Sequence, residues 1–169
     1  NDELAIFANY SRGNRAPQTT DLYRIQSKQI PGGAKSEKLD SLEIGLRGNF
    51  SIFNIELVGF DMSKDNYFFR DSQGFNVENG KTTHRGFEIN FLAEFNQFFQ
   101  IENSTSFAEH EYDFDHSPNG IKSGNQIDSA PELLANTRFI FTPREGTRIE
   151  LEWEKIDSYP VDERNAHFY

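Results

Sequence analysis

Apolar and polar side chains alternate at every second position over most of this chain, the pattern of β-strands with two chemically different faces. Seven such segments are predicted. The first, about Glu3–Arg12, sets Leu4, Ile6, Ala8 and Tyr10 on one face, with Phe7 on the other. The second, about Lys38–Gly48, opposes Leu42, Ile44 and Leu46 to Ser41, Glu43, Gly45 and Arg47. In the third, about Ile52–Arg70, the apolar phase passes from Phe53, Ile55 and Leu57 to Val58, Phe60 and Met62, which predicts a β-bulge near Gly59. The fourth, about Phe75–Phe95, carries Phe87, Ile89, Phe91 and Ala93 on one face and has Asn79-Gly80 as its candidate break. The fifth, about Phe98–Tyr112, is the most polar. The sixth spans about Leu133–Phe141. In the seventh, about Thr147–Ser158, Ile149, Leu151 and Trp153 oppose Arg148, Glu150, Glu152 and Glu154.

The connections alternate in length. Asn49–Ser51, Glu94–Gln97 and Thr142–Thr147 are short; Gly13–Glu37, Asp71–Lys81, Asp113–Pro131 and the segment after Tyr159 are long. All the tight turns then lie at one end of an antiparallel meander, as in outer-membrane barrels, with short turns toward the periplasm and long loops outside. The strands exceed the usual five or six residues and reach the about 9–11 that a tilted strand needs to cross a bilayer. Aromatics gather at both ends: Phe50, Phe53, Phe95, Phe98, Phe99 and Phe141 near the short turns, and Tyr10, Tyr67, Phe68, Phe69, Phe75, Tyr112 and Tyr159 near the long loops. Two girdles at the membrane interfaces are expected from that distribution.

Composition sharpens this. Only 36% of the 169 residues are hydrophobic, too few for a good soluble core, yet Phe alone supplies 17. A barrel wall with one face in lipid and one in water has that balance. No apolar run approaches a membrane-spanning helix, so any crossing is made by strands. The net charge of −10 argues against a nucleic-acid partner. The chain has no cysteine, hence no disulfide or thiolate metal site. Asn1-Asp2-Glu3-Leu4 does not read as a leader peptide, and seven strands cannot close a bacterial single-chain barrel, so a fragment of a longer protein is expected.

Ordered motifs add a family. Asn9-Tyr10-Ser11-Arg12-Gly13-Asn14-Arg15-Ala16-Pro17, continuing to Asp21-Leu22-Tyr23, resembles the "Y-S-x-G-F-R-A-P … L-Y" segment of TonB-dependent outer-membrane receptors, with Asn14 in place of the common aromatic. Glu37 with Ser41-Leu42-Glu43-Ile44-Gly45-Leu46-Arg47 resembles the next strand, "E … S-x-E-x-G-L-R". Phe60-Asp61-Met62 with Asn66 resembles "F-x-M … N", and Asn76–Thr82 with Arg85-Gly86-Phe87-Glu88 resembles "N-x-G-x-x-x-x-G-x-E". Ala130-Pro131 and the run from Tyr159 through Asp162 and Asn165 continue the series in order.

The resemblance implies an all-β fold, an antiparallel meander forming part of a transmembrane β-barrel that has 22 strands in the complete family member. Residues 1–169 would be a partial barrel domain, with the plug domain and TonB box outside it. The implied function is uptake of a scarce ligand, a ferric siderophore above all, across the bacterial outer membrane, energised by the TonB complex. Vitamin B12, haem and glycans are other family cargoes. The implied partners are that ligand, the TonB complex and outer-membrane lipid.

Two other readings stay open on the residues alone: a soluble β-sandwich or barrel binding module, and a passive porin-like channel. No catalytic set stands out, since His84, His110, His116 and His167 are scattered and none neighbours an evident nucleophile; an enzyme is not expected, nor a cofactor. Glu109-His110-Glu111-Tyr112-Asp113-Phe114-Asp115-His116 offers carboxylates and imidazoles, but neither zinc spacing nor a calcium loop is complete, and no metal site is assigned. Ligand contacts are expected from the outward loops: Tyr23, Arg24 and Gln26 in the first, His116 and Asn119 in the third.

Overall fold

The computed structural model describes residues 3–25, 31–71 and 73–169. Seven strands form one antiparallel sheet in sequence order: β1 (Glu3–Arg15), β2 (Glu37–Asn49), β3 (Phe53–Arg70), β4 (Asn76–Asn96), β5 (Phe99–Tyr112), β6 (Leu133–Arg144) and β7 (Thr147–Ile156), with one short helix, α1 (Thr19–Tyr23), in the first loop. Each strand pairs with its sequence neighbours, β1 and β7 forming the two edges. All seven expected strands are present, and three tight turns stand at one end.

The register sorts side chains onto two faces. Leu4, Ile6 and Ala8 line up with Gly48, Leu46 and Ile44; Leu46 and Ile44 meet Leu57 and Gly59; Leu57 and Ile55 meet Ile89 and Phe91. The band continues through Phe107, Phe139 and Leu151. Its side chains project outward and stay accessible: Ile6 is 79% exposed, Ile44 57% and Leu151 66%. An apolar surface of this extent is what lipid covers.

Asn103, Thr105 and Thr137, polar residues within the band, bond one another. Asn103 Nδ2 donates to Thr137 Oγ1 at 2.9 Å and to the Asn136 carbonyl at 3.2 Å, and Thr105 donates to Asn103 Oδ1 at 3.1 Å. The polarity of β5 is therefore compatible with hydrocarbon, which penalises unpaired polar groups. Above the band the outward face becomes charged. Arg12 and Tyr10 both bond Asp40 at 2.6 Å, Arg85 meets Asp61 at 3.2 Å and Lys81 meets Asp65 at 3.4 Å. Such exposed pairs add little stability. They mark where the strands rise out of the apolar layer.

The opposite face carries Glu43, Arg47, Glu56, Asn90, Glu102, Arg138, Glu150 and Glu152. Glycine makes room among them. A Cβ on Gly45 would run into the Phe7 ring, and one on Gly86 into the Phe107 carbonyl, with the Phe60 ring 2.9 Å away. Phe7, the apolar intruder on the polar side of β1, lies in the space that Gly45 leaves.

The expected bulge near Gly59 is not there. Gly59 pairs regularly with Ile44 and Phe87, and the apolar phase changes because β3 leaves the lipid layer, so its inward side chains become apolar while Asp61 faces out. The register shifts instead around Tyr67. Asn66 (φ 56°) on β3 and Asn79 (φ 57°) on β4 take left-handed conformations that asparagine tolerates, and the two insertions cancel. Asn79-Gly80 is thus a bulge within a continuous 21-residue strand, not a break. It also shortens the second outward connection to residues 71–75, not Asp71–Lys81.

The bulge turns aromatics inward. Tyr67 stacks on Phe69 with centroids 5.0 Å apart, Phe69 lies 5.7 Å from Tyr112, and Tyr112 lies 5.9 Å from Phe114. These residues form a cluster under the loops, with Tyr112 only 1% exposed, and not the outer girdle the sequence suggested. The girdle at the short turns is real: Phe50 and Phe53 lie 4.5 Å apart, and Phe95 and Phe99 5.9 Å.

Candidate functional site

Two features stand out on the inner side: a charged wall toward the short-turn end of the strands and a block of loops at the opposite end. The wall carries ion pairs between neighbouring strands. Arg47 pairs with Glu56 and Arg138 with Glu102, while Glu150 is shared by Arg148 at 2.9 Å and Arg138 at 3.7 Å. Asn136 Nδ2 bonds Glu152 at 2.7 Å. A trough of about 390 Å³ runs over this wall between Arg47, Glu56, Asn90, Glu102 and Arg138.

The loops are cross-braced. Asp71 caps its own turn by accepting from the Gln73 and Phe75 amides at 3.0 and 2.7 Å, and accepts Asn119 Nδ2 at 2.5 Å from the third loop. The third loop in turn grips the segment after β7: Arg164 Nε donates to the Asn119 carbonyl at 2.9 Å, Asn125 Nδ2 to the Glu163 carbonyl at 2.9 Å, and the Ser129 amide to the Pro160 carbonyl at 2.8 Å. Gly120 (φ 74°) passes beneath Arg164, where a Cβ would come within 2.9 Å of its side chain. Asp162 closes the last loop. Burial pushes its carboxyl upward, but hydrogen bonds from the Ala166 amide, the His167 ring and the Arg164 and His167 amides outweigh that and hold it below the ordinary carboxylate range.

The first loop is tied down at its base. Arg15 pairs with buried Glu37 at 2.7 Å and lies 4.1 Å over the Phe68 ring. At the start of α1 the Gln18 amide donates to Asp21 at 2.8 Å. A smaller cavity of about 190 Å³ separates this loop from the tops of β3 and β4, between Arg15, Gln18, Phe69 and Asn76.

The sequence-derived contact residues fare differently. Tyr23 is 62% exposed at the end of α1. Among the described residues, Arg24 Nη1 and His116 Nδ1 are buried nitrogens with no hydrogen-bond partner. Asn119 spends its amide on Asp71 and so shapes the loop. Gln26 lies outside the described residues. No hydrogen bond or ion pair among the described residues links Tyr23 or Arg24 to His116 or Asn119. In the acidic run, Glu109 and Glu111 face outward on β5, whereas Asp115 accepts the Ser123 amide at 3.1 Å within the loop.

One association escaped the sequence. His84 Nδ1 and His110 Nδ1 stand 2.9 Å apart on the inner face, with Thr82 Oγ1 2.9 Å from His84 Nε2. A signal existed: Glu94 pairs with Gln100 across the tight turn, and ten residues further along each strand His84 comes opposite His110.

Comparison with known proteins agrees with this architecture. A family model described as TonB dependent receptor-like, beta-barrel, matches residues 1–164. No curated protein sequence matches the chain. Among solved structures, the ferric-catecholate import receptor Fiu from E. coli K12 superposes with a TM-score of 0.73 at 14% identity, over 93% of this chain and 23% of that one. The ferric yersiniabactin uptake receptor FyuA from Yersinia pestis gives 0.74 at 12% identity, over 98% and 25%. The ferric preacinetobactin receptor BauA from Acinetobacter baumannii gives 0.72 at 15%, also over 98% and 25%. The chain therefore spans about a quarter of the length of these receptors. With an outward apolar band, a charged inner face and a family match over nearly its whole length, the chain belongs to the β-barrel family of TonB-dependent receptors of the outer membrane.

Proposed function

We propose that this chain supplies one wall and a set of outer loops to a receptor that imports a scarce ligand, with a ferric siderophore as the cargo. Energy would come from the TonB complex, acting through a plug domain beyond these seven strands. The family match over residues 1–164 carries this reading, and the three superposed structures, each a receptor named for a ferric chelate, support the choice of cargo. The loop chemistry agrees with it. Ferric siderophores are commonly anionic, and Arg24 and His116 each hold a buried nitrogen that has no hydrogen-bond partner among the described residues. Tyr23 adds an exposed ring, and Gln26 of the same loop completes the contact set. Asn119 holds the His116 turn in place through Asp71.

Uptake of radioiron siderophores in a deletion strain complemented with the intact receptor tests the proposal. Uptake restored by the receptor and abolished when TonB is removed is expected. Restored uptake that ignores TonB indicates a passive channel, and restoration of cobalamin, haem or glycan uptake alone overturns the cargo.

A further inference from the structure

On the inner face, one cross-strand row carries Met62, His84 and His110: Met62 is the register partner of His84, and His84 that of His110. Met62 is the only methionine in the chain. The two imidazoles are not merely adjacent. Their Nδ1 atoms face each other at 2.9 Å, with ring centroids 5.1 Å apart and planes inclined at 58°. Thr82, only 2% exposed, bonds His84 Nε2 at 2.9 Å. When Thr82 accepts from Nε2–H, the lone pair of His84 is placed on Nδ1, toward His110. An outer partner that fixes the ring and its tautomer is the usual support of a ligating histidine.

We propose that Met62, His84 and His110 bind a soft monovalent cation, Cu(I). The donor set selects the ion. Two neutral imidazoles and one thioether suit copper(I), which takes soft ligands at low coordination number. Among the described residues no group of three or more His, Asp or Glu side chains is arranged to hold a metal, so no carboxylate completes the row for zinc or a harder ion. Lys64, the neighbouring cation, has its ammonium 4.7 Å over the Tyr67 ring. For a metal about 2 Å from each nitrogen in a trigonal site, the Nδ1 atoms part by roughly half an ångström, within the reach of side-chain rotation. His110 then moves its ring proton to Nε2. This site lies on the wall and is independent of the cargo captured by the loops.

The test uses the intact receptor in detergent, titrated with Cu(I) kept reduced by ascorbate against a chromophoric Cu(I) chelator. The wild type is expected to take up one Cu(I) more than the His84→Gln/His110→Gln double variant. Met62→Leu, which conserves volume, should weaken that site at least tenfold and lower the sulfur contribution to the copper X-ray absorption spectrum. Equal uptake by the wild type and the double variant overturns the proposal, as does displacement of the copper by equimolar Zn(II). If the double variant fails to assemble, the Met62→Leu comparison decides, and unchanged affinity overturns the thioether site.

Discussion

Gln126 and Asn165 bond each other in both directions: the Gln126 amide donates to Asn165 Oδ1 at 2.8 Å, and Asn165 Nδ2 donates to the Gln126 carbonyl at 2.8 Å. A side chain thus imitates a strand partner and joins the third loop to the segment beyond β7. Asn165 has φ 54°, so replacement by alanine mixes backbone strain with lost bonds. Asn165→Gly separates them. It should leave the barrel assembled but cost the loop block about 1–3 kcal/mol locally, read as faster amide exchange at Gln126 and earlier proteolysis between residues 114 and 131.

Asp162 makes the same block sensitive to acid. Its folded carboxyl titrates below the ordinary range, so its stabilisation is present above about pH 4, the unfolded value, and is lost as pH falls through the folded pKa. Amide protection at Ala166 and His167 should fall at acid pH while the β-strand signals persist. Asp162→Asn should remove that pH dependence.

The paired bulges were only half legible. The asparagines stand in the sequence, yet the phase change at Val58–Met62 points to Gly59. Alternation reports which residues are apolar, not which solvent a face meets, and β3 crosses from lipid to water along its length. The same ambiguity misplaced Tyr67 and Phe69, since one inserted residue reverses every side chain beyond it. Asn79→Gly should preserve the bulge and be close to neutral. Asn79→Val, forced to φ near 57°, should destabilise by about 1–2 kcal/mol or more, seen as a lower urea midpoint of the intact barrel.

Seven strands, the tight turns and the lipid-facing band were readable because period two persists over long segments. The site was harder. Tyr23, Arg24 and His116 were reachable as loop residues, but the bracing role of Asn119 depends on Asp71, 48 positions away, and His84–His110 needed the register counted from a turn.

Gly86 offers a check on packing. Gly86→Ala places a methyl against the Phe107 carbonyl and the Phe60 ring, so β4 and β5 must separate. A loss of about 1–3 kcal/mol is expected, against near-neutrality for Gly74→Asn, whose site is open and whose φ of 81° asparagine approaches. Thermal unfolding of the two variants side by side measures the difference.

One face of this sheet meets lipid and the other lines a lumen. Nitroxide labels introduced singly at Leu42, Glu43, Ile44, Leu46 and Arg47 of the intact receptor in outer membranes distinguish the two faces by collision with oxygen and with a water-soluble nickel chelate. Labels at 42, 44 and 46 should be oxygen-accessible and shielded from nickel, while those at 43 and 47 should never be oxygen-dominated. Nickel accessibility at 42, 44 and 46 would contradict the barrel wall and return the soluble β-fold to consideration.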